Sequence, residues 1–530
     1  MTRQEKHRGK VEKMKVTLYE TSDIHGYLYP TDYQSREQGA AFGLFKIASL
    51  LERDKAKTGG HSLVIENGDL IQGSPFTHYI VKEKQSAESV MEAVNAIDYD
   101  AGVLGNHEFN YGMDYLESAV QAAAHPILCA NILNEQGEPA FGEAYKIFEK
   151  EGIKIAVLGL TTPYIPNWEH PENYEGLTFK TAVETAQSYV PDLKEQADVV
   201  VISYHGGFEK DLETGEETEI QTGENEGYAL LKEVEGIDVL LTGHQHRVIA
   251  QKVGSTAVVM PGDKGRYLGK VTLDFEHIDG TYHLKDSYPE LLSAADAPAD
   301  EKLKESLQNI NEEVEQWLDQ PIGHVAGDMT IFDAEQARRK EHPYVEFVHR
   351  VQMHYAECDI SGTALFNNQA KGFEKVVTMR DVVLNYIYPN TLAVLKVSGS
   401  DLKAALERSA TYFDLDQDGE ITVNPTFLHP KPQMYNYDMY EGIDYTIDVS
   451  RPQGQRITEL LYKGESIQPE DSLEIVINQY RAVGGGDYSM FDASKIIREV
   501  TIPMNELMGD FFSQFSPIEA QVNYNFKVTV

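Results

Sequence analysis

Within the first 250 residues, short runs of Val, Ile and Leu end repeatedly in polar clusters of Asp, Asn and His. The runs are residues 16–19, 63–65, 102–104, 153–158, 199–202 and 239–241. Each is short and almost wholly apolar, the pattern of a buried strand. Amphipathic segments lie between them. Leu44, Ile47, Ala48 and Leu51, for example, recur at i, i+3, i+4 and i+7 on one helical face. Strand alternating with helix predicts an α/β domain. In an open sheet of mostly parallel strands, the carboxyl ends share one edge, and ligands bind there.

Five of the six runs deliver polar clusters to that edge. They are Asp23-Ile-His25, Asn67-Gly68-Asp69, Gly105-Asn106-His107-Glu108, Ser203-Tyr204-His205-Gly206 and Thr242-Gly243-His244-Gln245-His246. Any one of these is an ordinary loop residue group; five after five strands are a site. The donors are carboxylates, imidazoles and an amide, without a thiolate. Such a set suits Mn²⁺, Zn²⁺, Fe or Co rather than a structural zinc site. Seven ligands exceed the needs of one tetrahedral ion. They suit two ions about 3.5–4 Å apart that share a carboxylate. Asp69, short and rigid at a strand end, is the natural bridge.

The order D-x-H, G-D, G-N-H-E, H-G-G, G-H-x-H resembles that of the calcineurin-like metallophosphoesterases, and within them the two-domain 5′-nucleotidase family. The resemblance runs from about residue 15 to the C-terminal region. It implies an N-terminal β-sandwich-type metallophosphoesterase domain with flanking helices, a linker helix and a C-terminal α/β nucleotide-binding domain, α+β overall. It implies one metal held by Asp23, His25, Asp69 and His246, and a second held by Asp69, Asn106, His205 and His244. His107 is not a ligand in this scheme; it faces the scissile phosphate and helps the leaving oxygen. Relatives usually pair that His with an Asp three residues on, whereas this chain has Asn110. An amide can orient the ring but offers it no charge.

The second half must select the organic part of a phosphoester. The resemblance places Tyr437 and Tyr480 as aromatic clamps on a base. It sets Arg481, Asp487 and Asn390 around the nucleotide, with Asp487 shifted by one extra Gly. Stacking of this kind is worth about 1–3 kcal/mol per base. The Asn-Gly-Gly-Gly-Ile-Arg stretch of typical 5′-nucleotidases is replaced at residues 366–371 by Phe-Asn-Asn-Gln-Ala-Lys, without Arg. The stretches YPNTLAVLKVSG, YNYDMYEGIDYTIDV and NQYRA look instead like the 2′,3′-cyclic-nucleotide 2′-phosphodiesterase/3′-nucleotidase branch. The expected reaction opens 2′,3′-cyclic nucleotides to 3′-nucleotides and hydrolyses these to nucleosides. A 5′-nucleotidase or broad phosphomonoesterase is the alternative. A non-catalytic nucleotide-binding protein would have lost ligands, and all seven positions are filled.

A small-residue segment at 293–300 precedes a stripe of Leu303, Leu307, Ile310, Val314 and Trp317, which predicts one long connecting helix. The organisation is then a tail at 1–14, a metallophosphoesterase domain at 15–295, a linker helix at 296–321 and a substrate domain at 322–530. Residues 211–226 carry seven acids and no base, and read as a solvated surface loop. Asp414, Asp416, Asp418 and Glu420 match the start of a calcium-binding EF-hand loop, but Pro425 stands at its twelfth position. An acidic turn is the leading reading there, with a weak Ca²⁺ site as the lesser one.

Acids outnumber bases 85 to 46, a formal charge of −39. That repels nucleic-acid polymers and anionic membranes. It does not exclude a small nucleotide when cations line the site. Two cysteines cannot make a disulfide framework. No apolar stretch follows the basic N-terminus, so no signal peptide is read and a cytoplasmic location is expected for the chain as given; loss of a leader would make it an exported protein.

Overall fold

The computed structural model describes residues 13–530 apart from 60, 168, 170, 220, 279–280, 389, 430 and 501. Most of the tail expected at 1–14 lies outside the described residues. The chain divides into two compact units, with the main break between Ile310 and Asn311.

The first unit is a sandwich of two six-stranded sheets. One sheet holds β1 (Lys13–Thr21), β2 (Ser62–Asn67), β3 (Ala101–Val103) and β4 (Ile127–Leu128). Two later strands complete it, as given below. A small ribbon pairs β5 (Ile132–Leu133) with β8 (Thr178–Phe179). The second sheet takes β6 (Tyr145–Lys150), β7 (Ile153–Thr161), β9 (Val199–His205), β10 (Val239–Thr242), β11 (Val248–Val253) and β12 (Thr256–Pro261). The hairpin β13 (Tyr267–Ile278) and β14 (Thr281–Ser293) returns to the first sheet, antiparallel beside β1. Each sheet therefore keeps four parallel strands with antiparallel strands at its margin: β1 to β4 in one, and β7, β9, β10 and β12 in the other.

The strands thus form two sheets packed face to face, the sandwich that the family resemblance implies, rather than one open sheet. The reason lies in strand alternation. Val157, Val199, Val201, Val239 and Leu241 point into the same core as Val16, Leu18, Leu63 and Ile65 of the first sheet. Their neighbours Ala156, Leu158, Val200, Ile202 and Leu240 point the other way. There they meet Ala182, Ala186, Val190 and Leu193 of the helix Ala182–Gln196. Both faces of these strands are buried, which is why the runs read as uniformly apolar. The stripe Leu44, Ile47, Ala48 and Leu51 is the buried face of the helix Leu44–Thr58, which stops at Gly59 in the left-handed region.

The connecting segment differs from expectation. It forms two helices, Glu301–Ser306 and Gln308–Leu318, interrupted at Leu307. Spacing of apolar residues continues across the break, so periodicity alone could not reveal it.

The second unit is a mixed α/β assembly. Its main sheet runs in the order Asp438–Glu441, Ser361–Ala364, Ser472–Asn478, Leu392–Ser398 and Ile496–Val500. The helix Pro343–Ala356 shares its core through Phe347, Val348 and Val351. Asp414 lies in the first strand of the hairpin Phe413–Leu415 with Ile421–Val423, and Glu420 in the turn between them. Asp416 Oδ1 there accepts the backbone N–H groups of Asp418 and Glu420. The aspartate turned towards its own loop closes the turn; no three of these acids converge as a cation-ligand group among the described residues. Among those residues no helix is long and apolar enough to cross a membrane. Cys129 and Cys358 are both buried and unbridged.

Candidate metal centre

The polar clusters after β1, β2, β3, β9 and β10 meet in the first unit. Asp23, His25 and His246 bring one ligand atom each within 4.8 Å of one another, and so do Asp69, His205 and His244. The two groups meet at Asp69, and the backbone N–H of His244 also donates to the Asp23 carboxylate. Asp69 Oδ2 lies 3.8 Å from His25 Nε2 and 3.2 Å from His205 Nε2. Asn106 joins the second group, its Oδ1 lying 2.8 Å from His244 Nδ1.

The backbone is bent to make this possible. Asp23, His25, Asp69, His244 and His246 all have φ between 50° and 68°. For residues with a Cβ this left-handed conformation costs roughly 1–2 kcal/mol each, and such strain gathers at functional sites. Two glycines allow the loops to touch. A Cβ on Gly105 would come within 2.2 Å of Asp69 Oδ1, and one on Gly243 within 2.1 Å of Ser22 Oγ.

A second layer of hydrogen bonds aims the rings. His25 Nδ1 faces Gln72 O at 3.1 Å, and His205 Nδ1 faces Asn67 O at 2.6 Å. A carbonyl only accepts, so each Nδ1 carries a proton and Nε2 is the ring nitrogen left to face a cation. His25 Nε2 and His246 Nε2 then face each other at 3.0 Å. His205 Nε2 is buried against Asp69 Oδ2. Imidazole nitrogens and carboxylate oxygens converging in this way are what cation ligands require, and the residues fit two divalent ions.

The electrostatics agree. Burial drives the His25 imidazole down to about 4, the neutral form a ligand needs. Burial opposes the Asp23 charge, but the hydrogen bond and charge of His246 hold that carboxyl at about 2. Burial also opposes ionisation of Asp69, and His205 beside it overrides this and holds Asp69 well below the usual range. Burial works against charge on His205, but Asp69 lifts it to about 10. An incoming cation therefore takes the place of the proton on His205.

His107 belongs to neither ligand group but borders both, its ring edge-on to that of His25 at 5.3 Å between centroids. Its backbone N–H donates to Asp69 Oδ1 at 2.8 Å, and its Nδ1 lies 2.7 Å from Asn110 Oδ1. The amide oxygen accepts from Nδ1–H, so the pairing fixes the ring and leaves Nε2 for proton transfer.

Two acids gain roles that the sequence reading did not assign. Glu108, quoted within its motif but given no function, accepts four backbone N–H groups: Asp69, Leu70, Ile71 and Gly105. It pins the loop after β2 to the loop after β3. Glu224 lies in the acidic segment 211–226, read as a solvated loop. Its Oε1 sits 2.8 Å from His244 Nε2. Glu219 accepts from Asn225 and Gln245, and Glu226 accepts from Ala182 N. Burial pushes both Glu219 and Glu226 up to about 7. The segment is folded onto the protein because its acids find N–H donors and an imidazole.

In the second unit two expected substrate contacts are corrected. Tyr437 is fully buried, stacked on Tyr412 at 4.8 Å with Phe413 edge-on, and its hydroxyl donates to Arg338 O. No ring face is left for a base. Arg481 is also buried. It donates to Asp438 at 2.7 and 3.1 Å and to Tyr435 O at 2.9 Å, and covers the Tyr488 ring at 3.9 Å. These donors serve the fold rather than the nucleotide. Asp487 pairs with Arg408 at 3.1 Å. Asn390 is half-buried, and its carbonyl accepts from Met504 N. Tyr480 is half-buried at the short helix Gln479–Ala482.

Comparison with known proteins follows the same division. The sequence profile described as calcineurin-like phosphoesterase matches residues 16–248, and that described as 5′-nucleotidase, C-terminal domain, matches residues 321–493. A crystal structure of a putative 5′-nucleotidase from Staphylococcus aureus in complex with alpha-ketoglutarate is 41% identical, with a TM-score of 0.92 over 98% of this chain and 100% of that one. A 2′,3′-cyclic-nucleotide 2′-phosphodiesterase/3′-nucleotidase of Salmonella typhimurium is 31% identical over 88% of this chain and 81% of its own. The trifunctional nucleotide phosphoesterase protein YfkN of Bacillus subtilis is 28% identical over 97% of this chain, which spans 39% of that relative's length. A profile for each half, and near-full-length relatives at these identities, place the chain in the calcineurin-like phosphoesterases that carry a 5′-nucleotidase C-terminal domain, enzymes that use divalent metal ions.

Proposed function

We propose that this enzyme opens 2′,3′-cyclic nucleotides to 3′-nucleotides and then hydrolyses these to nucleosides and phosphate. The observation that carries the reading is the pair of ligand groups meeting at Asp69 Oδ2, in a chain whose relatives at 28–31% identity include three named for that double activity. Asp23, His25, Asp69 and His246 would hold one ion of the Mn²⁺ or Zn²⁺ class. Asp69, Asn106, His205 and His244 would hold the other. Such a pair lowers the pKa of water and neutralises phosphate oxygens, which also offsets the −39 charge of the chain.

The residues of the chain then divide the work. Asn110 keeps Nδ1 of His107 protonated, so Nε2 is the atom that gives a proton to the leaving oxygen. Glu108 fixes the loops that carry Asp69 and His107. Glu224 orients His244. Base recognition falls to the second unit, to Tyr480 with Tyr435 in place of the buried Tyr437. Tyr435 is half-buried, and its carbonyl is held by Arg481, the residue after Tyr480. Tyr388 lies edge-on to Tyr435, at 6.3 Å between ring centroids.

A 5′-nucleotidase is the second reading, favoured by the description of the 41% identical Staphylococcus aureus protein. Against it stands residues 366–371, where the stretch carries Lys but no Arg. Product analysis with Mn²⁺ separates them. The proposal expects 2′,3′-cAMP to give 3′-AMP and then adenosine, with 5′-AMP the poorer substrate. Equal or higher kcat/KM on 5′-AMP would establish the second reading, and no hydrolysis of any would leave a binding protein.

A further inference from the structure

Far along the chain from the ligand motifs, the second unit gathers three carboxylates from separate places. Glu341 precedes the helix Pro343–Ala356, Glu346 lies in its first turn, and Glu441 ends the strand Asp438–Glu441. One oxygen from each lies within 4.8 Å of the others. Like charges so close repel, and among the described residues the hydrogen-bond donors nearby serve Glu341 and Glu441. Glu341 accepts the backbone N–H groups of Asn523, Tyr524 and Asn525. Glu441 accepts from Asn523 Nδ2 at 2.8 Å. Glu346 is 94% buried, and its Oε2 accepts no hydrogen bond from an N–H or hydroxyl among the described residues. Burial first, then the neighbouring Glu441, push the Glu346 carboxyl up to about 8, and Arg350 offsets them only in part, so the three carboxylates are short of positive charge.

We propose that Glu341, Glu346 and Glu441 form a calcium site that fastens the C-terminal segment to the second unit. The chemistry selects the ion. All three donors are hard oxygens with no imidazole or thiolate, unlike the histidine-rich centre of the first unit. Three carboxylates supply up to six oxygens, and Ca²⁺ accepts six to eight in irregular geometry, whereas Mg²⁺ demands a tight octahedron. The structural consequence follows from what Glu341 already holds. Asn523, Tyr524 and Asn525 lead directly into the strand Phe526–Thr529, which pairs in parallel with Asp444–Asp448. A cation joining Glu341 to Glu346 and Glu441 locks that strand to the helix and the main sheet.

The test uses the full chain with its first-unit centre already loaded with Mn²⁺. Titration with Ca²⁺ should show one additional ion and raise the unfolding temperature of the second unit by roughly 2–4 °C at saturating Ca²⁺. Glu346→Gln, which keeps shape and removes charge, should weaken Ca²⁺ at least about tenfold and leave nucleotide hydrolysis unchanged. Glu441→Gln is the second variant. Asp418→Asn, in the acidic hairpin turn, should leave Ca²⁺ binding intact. Tb³⁺ emission sensitised by Tyr445, whose ring feels the charges of Glu441 and Glu341, reads the site in the unmodified protein. The proposal is overturned if Ca²⁺ neither binds nor stabilises, if both glutamine variants keep the response, or if Mg²⁺ matches Ca²⁺. A proton shared by Glu346 and Glu441 would produce the first of these outcomes.

Discussion

Arg481 separates a substrate role from a structural one. The resemblance to nucleotidases sets it at the nucleotide, yet its guanidinium and the carboxylate of Asp438 are each only 1% exposed. Replacing Arg481 with Met keeps much of the aliphatic stem and removes both bonds to Asp438, leaving that carboxylate buried and unpaired. Breaking a buried pair in this way costs about 3–5 kcal/mol. Loss of contact with the Tyr488 ring at 3.9 Å adds to it, since a desolvated cation–π contact is worth about 2 kcal/mol. Pairing Arg481→Met with Asp438→Asn should recover part of the loss, because the second change removes the stranded charge. The assay is urea unfolding followed on the transition of the second unit, alongside kcat and KM for 2′,3′-cAMP. A midpoint unchanged in Arg481→Met together with a raised KM would refute the structural role and return Arg481 to the substrate.

His107→Ala should retain both metal ions by elemental analysis while kcat falls about 10²–10⁴-fold, the usual range for acid–base help; loss of metal would make His107 a ligand. Asn110→Asp places a negative charge 2.7 Å from the ring nitrogen. That charge favours the protonated imidazole, so the acid form persists to higher pH and the alkaline limb of the pH–rate profile moves up; an unmoved limb would show that the pair does not act in the reaction. Glu224→Gln keeps an oxygen near His244 but removes the charge. Calorimetric titration should find the second ion bound about 10–100-fold more weakly, and unchanged affinity would confine Glu224 to the fold.

The ligand set was readable because each member stands directly after an apolar run, and strand ends gather at an edge in either an open sheet or a sandwich. The division into two sheets came from the family resemblance and not from the pattern of the strands. Strands buried on both faces lose the alternation that would have assigned Val199 and Val200 to different cores. The left-handed backbone at Asp23, His25, Asp69, His244 and His246 left no mark in composition either. Glu108 and Glu224 were overlooked for one reason: a carboxylate that receives backbone N–H groups or orients an imidazole looks, in sequence, like any surface acid. Tyr437 misled through its neighbourhood. It sits just before the strand Asp438–Glu441, and the packing of Tyr412 and Phe413 decides that Tyr437 turns inward. The stripe from Leu303 to Trp317 kept its spacing through the break at Leu307, so it predicted a face correctly and a single helix wrongly.

The central claim is that two cations lie side by side with Asp69 between them. Anomalous diffraction from crystals grown with Mn²⁺ measures this directly. The account predicts two peaks about 3.5–4 Å apart, one beside Asp23, His25 and His246, the other beside Asn106, His205 and His244, with Asp69 reaching both. A single peak, or peaks away from Asp69, would contradict it.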